Sequence, residues 1–371
     1  MSRSMKEANK YIFEVLAKFV EDKNVERPIF ADAIRYITTN EREKEWLQKL
    51  KIQDTQRILP TFRTAYFEFE KQKYFVTIGS TTQLLTEREI IQEEQLNGGI
   101  FTALISELKI PVKQTADVSY IENEIFYETE EEKIEYKLSQ VQEFFEPIFV
   151  YKIQYDCLFI DIDTKNKTSV NILNLKLSGF YITHNPQIMS LEFDEETLII
   201  FRRLFLEGAK NIPYDNLVFS LVSVYWRYSF LDVYRCIERL FSLSFLEELH
   251  QDLGIDNSLS LLQFSAKIEK YIGWRAEESK AINKLIHNSP QDAIDILQEV
   301  KSFIDSRQAN TLPSKLGEVI YTIRNSIVHF RPATQLEIIN VIDNEYWNKL
   351  IRASLLIIKD WYHKYDDQLN I

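Results

Sequence analysis

Pro313-Ser314-Lys315-Leu316-Gly317-Glu318-Val319-Ile320-Tyr321-Thr322-Ile323-Arg324-Asn325-Ser326-Ile327-Val328-His329-Phe330 reads as one helix, closed by Arg331-Pro332. Proline cannot donate to a helical ladder, and it biases the residue before it away from the helical region. Leu316, Val319, Ile320, Ile323, Ile327 and Phe330 follow the 3-4-3 spacing of a buried stripe. At about 100° per residue, Arg324 and His329 fall about 140° apart on the opposite side, with Asn325 between them and Tyr321 and Glu318 nearby. The spacing therefore predicts a cation, an amide and an imidazole on the face that the helix does not bury in its own bundle.

Arg324, a polar residue, three more residues and then His329 resemble the Rx4-6H motif of HEPN-domain ribonucleases of the abortive-infection and toxin type. The earlier run from Tyr225 to Phe241, with Arg235-Cys236-Ile237-Glu238-Arg239 inside it, is similar to the long helix that precedes the motif in those proteins. The resemblance covers about the last 160 residues of the 371. It implies a helical domain that dimerises, so that two motif helices face one another across one composite cleft. It also implies RNA as substrate, an N-terminal domain that senses a trigger or binds a phage or antitoxin regulator, and no cofactor.

Elementary chemistry fits those residue types. RNA carries its own nucleophile in the ribose 2′-OH. A catalyst must remove that proton, protonate the leaving oxygen and stabilise charge on the phosphate. Histidine can serve as acid or base near neutral pH. Arginine stays cationic and grips phosphate oxygens with a planar fork. The candidate catalytic residues are Arg324, Asn325, His329 and Glu238, the last as an orienting carboxylate for Arg324. The bland alternatives are a surface Arg and His on an ordinary helix, and a Glu238 paired with Arg235 or Arg239.

The chain is long enough for two domains, and 45% apolar residues supply material for two cores. The formal net charge is −12. Residues 215–371 carry 17 Lys and Arg against 21 Asp and Glu, and the preceding residues carry 27 against 35. Neither part is the basic surface on which bulk nucleic-acid binding depends. The polar start at Met1-Ser2-Arg3-Ser4-Met5-Lys6 has no signal-peptide core, and no window approaches the ~18 apolar residues of a membrane span. Cys157 and Cys236 are far apart in apolar surroundings, as reduced core thiols in a cytoplasmic protein would be.

The period changes along the chain. Residues 6–22 and about 30–50 read as helices. Residues 64–78 read as two strands around a polar turn, and 87–108 as a helix interrupted at a turn, Asn97-Gly98-Gly99. Strands are expected at 118–127, 134–138, 147–163 and 169–182, the last two about the polar turn Thr164–Thr168. After Pro186 everything reads as helix, beginning with Asp194 as an N-cap. The expected architecture is α+β: a mixed α/β domain with meandering strands over 1–190, then an all-α bundle over 191–371.

Two further features were weighed. Asp161 and Asp163 with Lys165 could hold a metal and a phosphate in a metal-dependent nuclease, but Leu158, Ile160 and Ile162 alternate with them as in any half-buried hairpin. Tyr225, Trp226, Tyr228, Phe230 and Tyr234 could stack bases, although at helical spacing such residues are usually core. His184, His250, His287 and His363 stand in no metal-ligand spacing.

Overall fold

The computed structural model describes residues 5–23, 33–80, 90–154, 166–254, 259–307, 312–328 and 336–369. It is an α+β protein whose chain divides into two compact units, one ending at Asn174 and the other running from Leu175 to Ile371. The sequence reading placed the boundary at 190/191; the division falls inside a helix instead.

The first unit contains α1 (Met5–Asp22), β1 (Ile34–Ile37), α2 (Glu41–Lys49), β2 (Lys51–Arg57), β3 (Arg63–Phe69), β4 (Gln72–Ile78) and β5 (Ile91–Glu94). It continues with α3 (Gly98–Leu108), α4 (Val118–Glu124), β6 (Lys133–Tyr136), α5 (Leu138–Gln142), β7 (Ile148–Ile153) and the start of α6 (Lys167–Thr183). Five strands form an antiparallel sheet in the order β2-β3-β4-β7-β5, while β1 and β6 pair in parallel apart from it. The polar turn between β3 and β4 is tight: Glu70 and Lys71 both take positive φ, 49° and 69°, the twist that a two-residue hairpin requires. Phe67, Phe69, Tyr74 and Val76 on one face of the sheet share a buried core with Ile12, Leu16 and Val20 of α1, Trp46 of α2 and Ile100, Phe101 and Leu104 of α3. Trp46 stacks on Phe69 with ring centroids 3.7 Å apart.

Several expected strands are corrected. Residues 118–124 form α4, capped by Asp117, whose carboxylate accepts from the Tyr120 amide. Ile121 and Ile125, both fully buried, share a helical i, i+4 face rather than a strand face. Residues 167–183 form α6. Leu173, Leu175 and Leu177 alternate with Asn174, Lys176 and Ser178 as in a half-buried strand, but both sets are buried in the helix. The strand expected at 147–163 is β7 as far as Ile153; residues 155–163 lie outside the described residues, as do Thr164 and Lys165 of the expected turn. Within 87–108, residues 91–94 are β5, and Asn97 caps α3 by accepting from the Ile100 amide. Gly98 and Gly99 are therefore not a turn but the first turn of a buried helix. A Cβ on Gly99 would stand 1.9 Å from the Glu43 carbonyl oxygen, so glycine is what lets α3 lie against α2.

The second unit is helical: α7 (Glu195–Glu207), α8 (Tyr214–Val222), α9 (Trp226–Glu238), α10 (Leu243–Asp252), α11 (Leu261–Ile272), α12 (Glu278–His287), α13 (Gln291–Arg307), α14 (Leu316–Val328), α15 (Leu336–Val341) and α16 (Asn344–Tyr365). Asp194 caps α7 as expected, accepting from the Thr197 amide at 2.7 Å. The longest helix, α16, buries Trp347, Leu350, Ile351, Leu355 and Ile358 and packs against α7, α9 and α13. Its buried Asn348 accepts the Asp194 amide and donates to the Glu192 carbonyl, which pins the start of α7. Within the run at 361–365, Trp361, Tyr362 and Tyr365 are buried and His363 and Lys364 exposed. No helix among the described residues is long and apolar enough to cross a membrane.

Candidate active site

The motif helix α14 packs against α12, α13 and α9. Val319, Ile320 and Ile323 are buried as the spacing required, but Leu316 and Ile327 are only half-buried, and Gly317 and Ser326 take their places inside. The cause is the approach of α12. A Cβ on Gly317 would stand 2.4 Å from Asn283 Oδ1 and 2.7 Å from the Asn283 Cα. Small residues turn that side of α14 inward, and the buried stripe rotates with them.

That rotation corrects the placement of Arg324. Its side chain is only 17% exposed and is directed at α9 rather than outward. Nη2 donates to Oε1 of Glu238, the last residue of α9, at 2.9 Å. Nη1 donates to Asn325 Oδ1 at 3.0 Å and lies 3.7 Å from Glu278 Oε2 at the start of α12. The guanidinium also sits 5.8 Å from the centre of the Tyr234 ring. Burial pulls the Arg324 pKa down, but the carboxylates of Glu238 and Glu278 outweigh it and leave the group above its ordinary value. Of the five N–H donors of a guanidinium, two are engaged by Glu238 and Asn325 among the described residues. The others make no hydrogen bond among the described residues.

Three of the four expected site residues thus come together: Arg324, Asn325 and Glu238. Glu238 takes Arg324 as its partner, not Arg235, whose Nη1 binds Asp232. His329 lies one residue past the last described residue of α14, outside the described residues. Asp161, Asp163 and Cys157 are outside them too. Cys236 is buried, and burial pushes its thiol up.

Arg324 stands on the wall of an open pocket of about 360 Å³, shared with Glu238, Phe241, Trp274, Arg275 and Glu278. Glu278 and the Trp274-Arg275 wall are not among the residues that the sequence singles out, and Tyr234 is singled out only as a core or base-stacking ring. No spacing links residue 278 to 324, because their meeting depends on how α12 crosses α14. Tyr234 is 1% exposed, and its hydroxyl has no hydrogen-bond partner among the described residues. Burial raises its pKa first, and the nearby Glu238 raises it further.

The aromatic run along α9 is divided by the fold. Phe230 and Tyr234 are core, Trp226 is half-buried and donates its indole N–H to Asn344 Oδ1 at 2.7 Å, and Tyr225 and Tyr228 are exposed. Of the remaining histidines, His250 is buried edge-on against Phe264, and His184 contacts the Phe180 carbonyl through Nδ1. Among the described residues, no group of three or more His, Cys, Asp or Glu is arranged to hold a metal ion.

A separate pocket of about 470 Å³ lies in the first unit, beside α1 and β1. Its buried Arg35 donates to the Ile125 and Ala33 carbonyls and rests on the Phe126 ring, so its polarity serves the fold.

Comparisons with protein-family models, with curated proteins and with solved structures find no match for this chain.

Proposed function

We propose that the chain is a metal-independent RNA endonuclease of the HEPN type, acting as a toxin or in anti-phage defence. Arg324 and His329 carry the chemistry, and two chains contribute to one cleft. The observation that supports this best is the setting of Arg324. A carboxylate at the end of α9 fixes the guanidinium at the wall of an open pocket, with further N–H donors that no described residue accepts. Such a group stabilises charge developing on a phosphate without having to reorganise. His329 follows in the motif and supplies acid–base catalysis on the 2′-OH or the leaving oxygen. One motif holds a single histidine, so acid and base on both sides of the phosphorus need a second chain, related by a two-fold axis. Val328, 47% exposed, offers such an interface apolar contact. The first unit is assigned the sensing of a trigger or regulator.

A second reading is a non-catalytic dimerising adaptor. The observation favouring it is that Glu238 and Glu278 already balance the Arg324 charge.

The test is cleavage of RNA in EDTA by the intact chain, by His329→Ala and by Arg324→Lys. The wild type should cut and leave 2′,3′-cyclic phosphate ends, and 2′-O-methyl substrates should resist. Both variants should lose most activity with fold unchanged, since lysine keeps the charge but lacks the planar fork. Cleavage abolished by EDTA and restored by Mg²⁺ would move the chemistry to Asp161 and Asp163. Absence of cleavage, with growth unaffected by expression of either wild type or His329→Ala, would leave the adaptor.

A further inference from the structure

The N-terminal end of α9 carries an exposed cluster that the site above does not use. Tyr225 is 56% exposed and Tyr228 48%, with Val224 and Phe219 exposed beside them. The two tyrosine rings meet edge to face, centroids 6.0 Å apart. The Arg227 guanidinium lies over both, 5.1 Å from one ring centre and 5.0 Å from the other. Its Nε is buried without a hydrogen-bond partner, and no carboxylate among the described residues pairs with it. In a chain of net charge −12, this cation is held by aromatic rings rather than by an acid.

We propose that Tyr225, Arg227 and Tyr228 form a platform for single-stranded RNA, on which unpaired bases stack on the tyrosines and a phosphate meets Arg227. This deepens the nuclease reading by naming its substrate class, and rests on that reading for the choice of RNA. Each exposed ring offers an apolar face, and the edge-to-face arrangement gives each tyrosine a separate base rather than one shared slot. Stacking of this kind tolerates any sequence, because every base has a π-face. Bases inside a duplex already stack on one another, so the platform selects unpaired strands. An unpaired guanidinium complements the one charge that every nucleotide carries.

Arg227 and Glu238 are eleven residues apart on α9. At 100° and 1.5 Å per residue they fall about 20° apart around the axis and about 16 Å apart along it. Tyr234, between them on that side of α9, is buried, so the platform stands apart from the carboxylate that holds Arg324.

The test uses the full chain carrying His329→Ala, so that bound RNA survives, with a short fluorescent single-stranded RNA and a hairpin of the same composition. Fluorescence anisotropy should show preference for the single strand. Tyr225→Ala and Tyr228→Ala should each weaken it about fivefold or more, while Tyr225→Phe with Tyr228→Phe should keep most of the affinity. Arg227→Gln should flatten the dependence of log affinity on log salt by about 0.7. No binding of the single strand, unchanged affinity in the alanine variants, or equal loss in the phenylalanine pair would overturn the platform. So would light scattering showing that the alanine variants break a dimer held at this face. The readout is binding. Tyrosine-dependent binding without cleavage by the wild type sinks the nuclease alone, and cleavage indifferent to the tyrosines sinks the platform alone.

Discussion

Glu238→Gln isolates the contact on which the candidate site turns. The change keeps the shape of the side chain and removes its charge. Arg324 and Glu238 are 17% and 32% exposed and 2.9 Å apart, between the limits of a surface pair worth about 0–1 kcal/mol and a buried one whose rupture costs about 3–5 kcal/mol. Glu278 stays 3.7 Å from the same guanidinium. At an effective dielectric of about 20 the gross attractions at these two distances are about 6 and about 4 kcal/mol. Glu278 therefore preserves a little under half of the attraction when Glu238 is neutralised. A loss of about 1–2 kcal/mol follows, with a coupling of similar size between Glu238→Gln and Arg324→Gln in a double-mutant cycle. Urea unfolding followed by tryptophan fluorescence measures it, because Trp226, Trp274, Trp347 and Trp361 all report on the second unit and only Trp46 on the first. RNA cleavage should fall at the same time, since Arg324 loses the acceptor that aims it. Unchanged stability and zero coupling would refute the packing argument. Faster cleavage would refute the orienting role and show Glu238 competing with phosphate for the guanidinium.

Tyr234→Phe removes a buried hydroxyl that has no partner among the described residues and should leave the chain at least as stable, since an unmet buried group costs about 1–3 kcal/mol; a drop in thermal midpoint would reveal a partner. Gly317→Ala adds a Cβ 2.7 Å from the Asn283 backbone and should cost about 1–3 kcal/mol by overpacking, despite the better helix propensity of alanine; urea midpoints decide it. Burial pulls the Lys176 ammonium, which donates to the Gly208 carbonyl, down to about 8, partly offset by Asp366. Between that value and its ordinary 10.5 the unfolded chain binds the extra proton, so stability rises with pH. Relative to Lys176→Met, the wild type should gain roughly 2–3 kcal/mol from pH 7 to pH 10, and parallel pH profiles would show an ammonium in contact with water.

The second unit was largely legible because its helices bury one stripe each and carry local punctuation. Asp194 before α7, Gly254 after α10 and Asp343 before α16 act within a few residues of the element they bound. The first unit was less so. Helices α4 and α6 read as strands because one is a short run with a single buried stripe and the other alternates Leu173, Leu175 and Leu177 with polar residues that the fold also buries. Periodicity informs only where one side of an element meets water. The same limit governs the site. Arg324, Asn325 and Glu238 were legible from residue types along two helices, whereas Glu278 arrives through the packing of α12 on α14 and Trp274 from the segment between α11 and α12. The direction of Arg324 was misjudged because the buried face of α14 is chosen by glycine and serine, residues that a count of apolar positions does not register.

An acidic chain that acts on RNA under the proposed function must draw little of its affinity from bulk neutralisation of phosphate. Its arginines show how that is arranged. Arg202, Arg235, Arg275 and Arg352 are each tied to a carboxylate, which removes them from the field that a polyanion meets at a distance. Arg324 faces two carboxylates and keeps only directed donors. Arg227 is held by tyrosine rings and keeps its charge. Binding then rests on a few positioned contacts and on stacking, which salt does not screen. Duplex RNA, with its bases already stacked, is left to the weak electrostatic term alone. Negative charge and activity on RNA are compatible on these terms, because the charge suppresses indiscriminate binding while the directed contacts decide which strands stay.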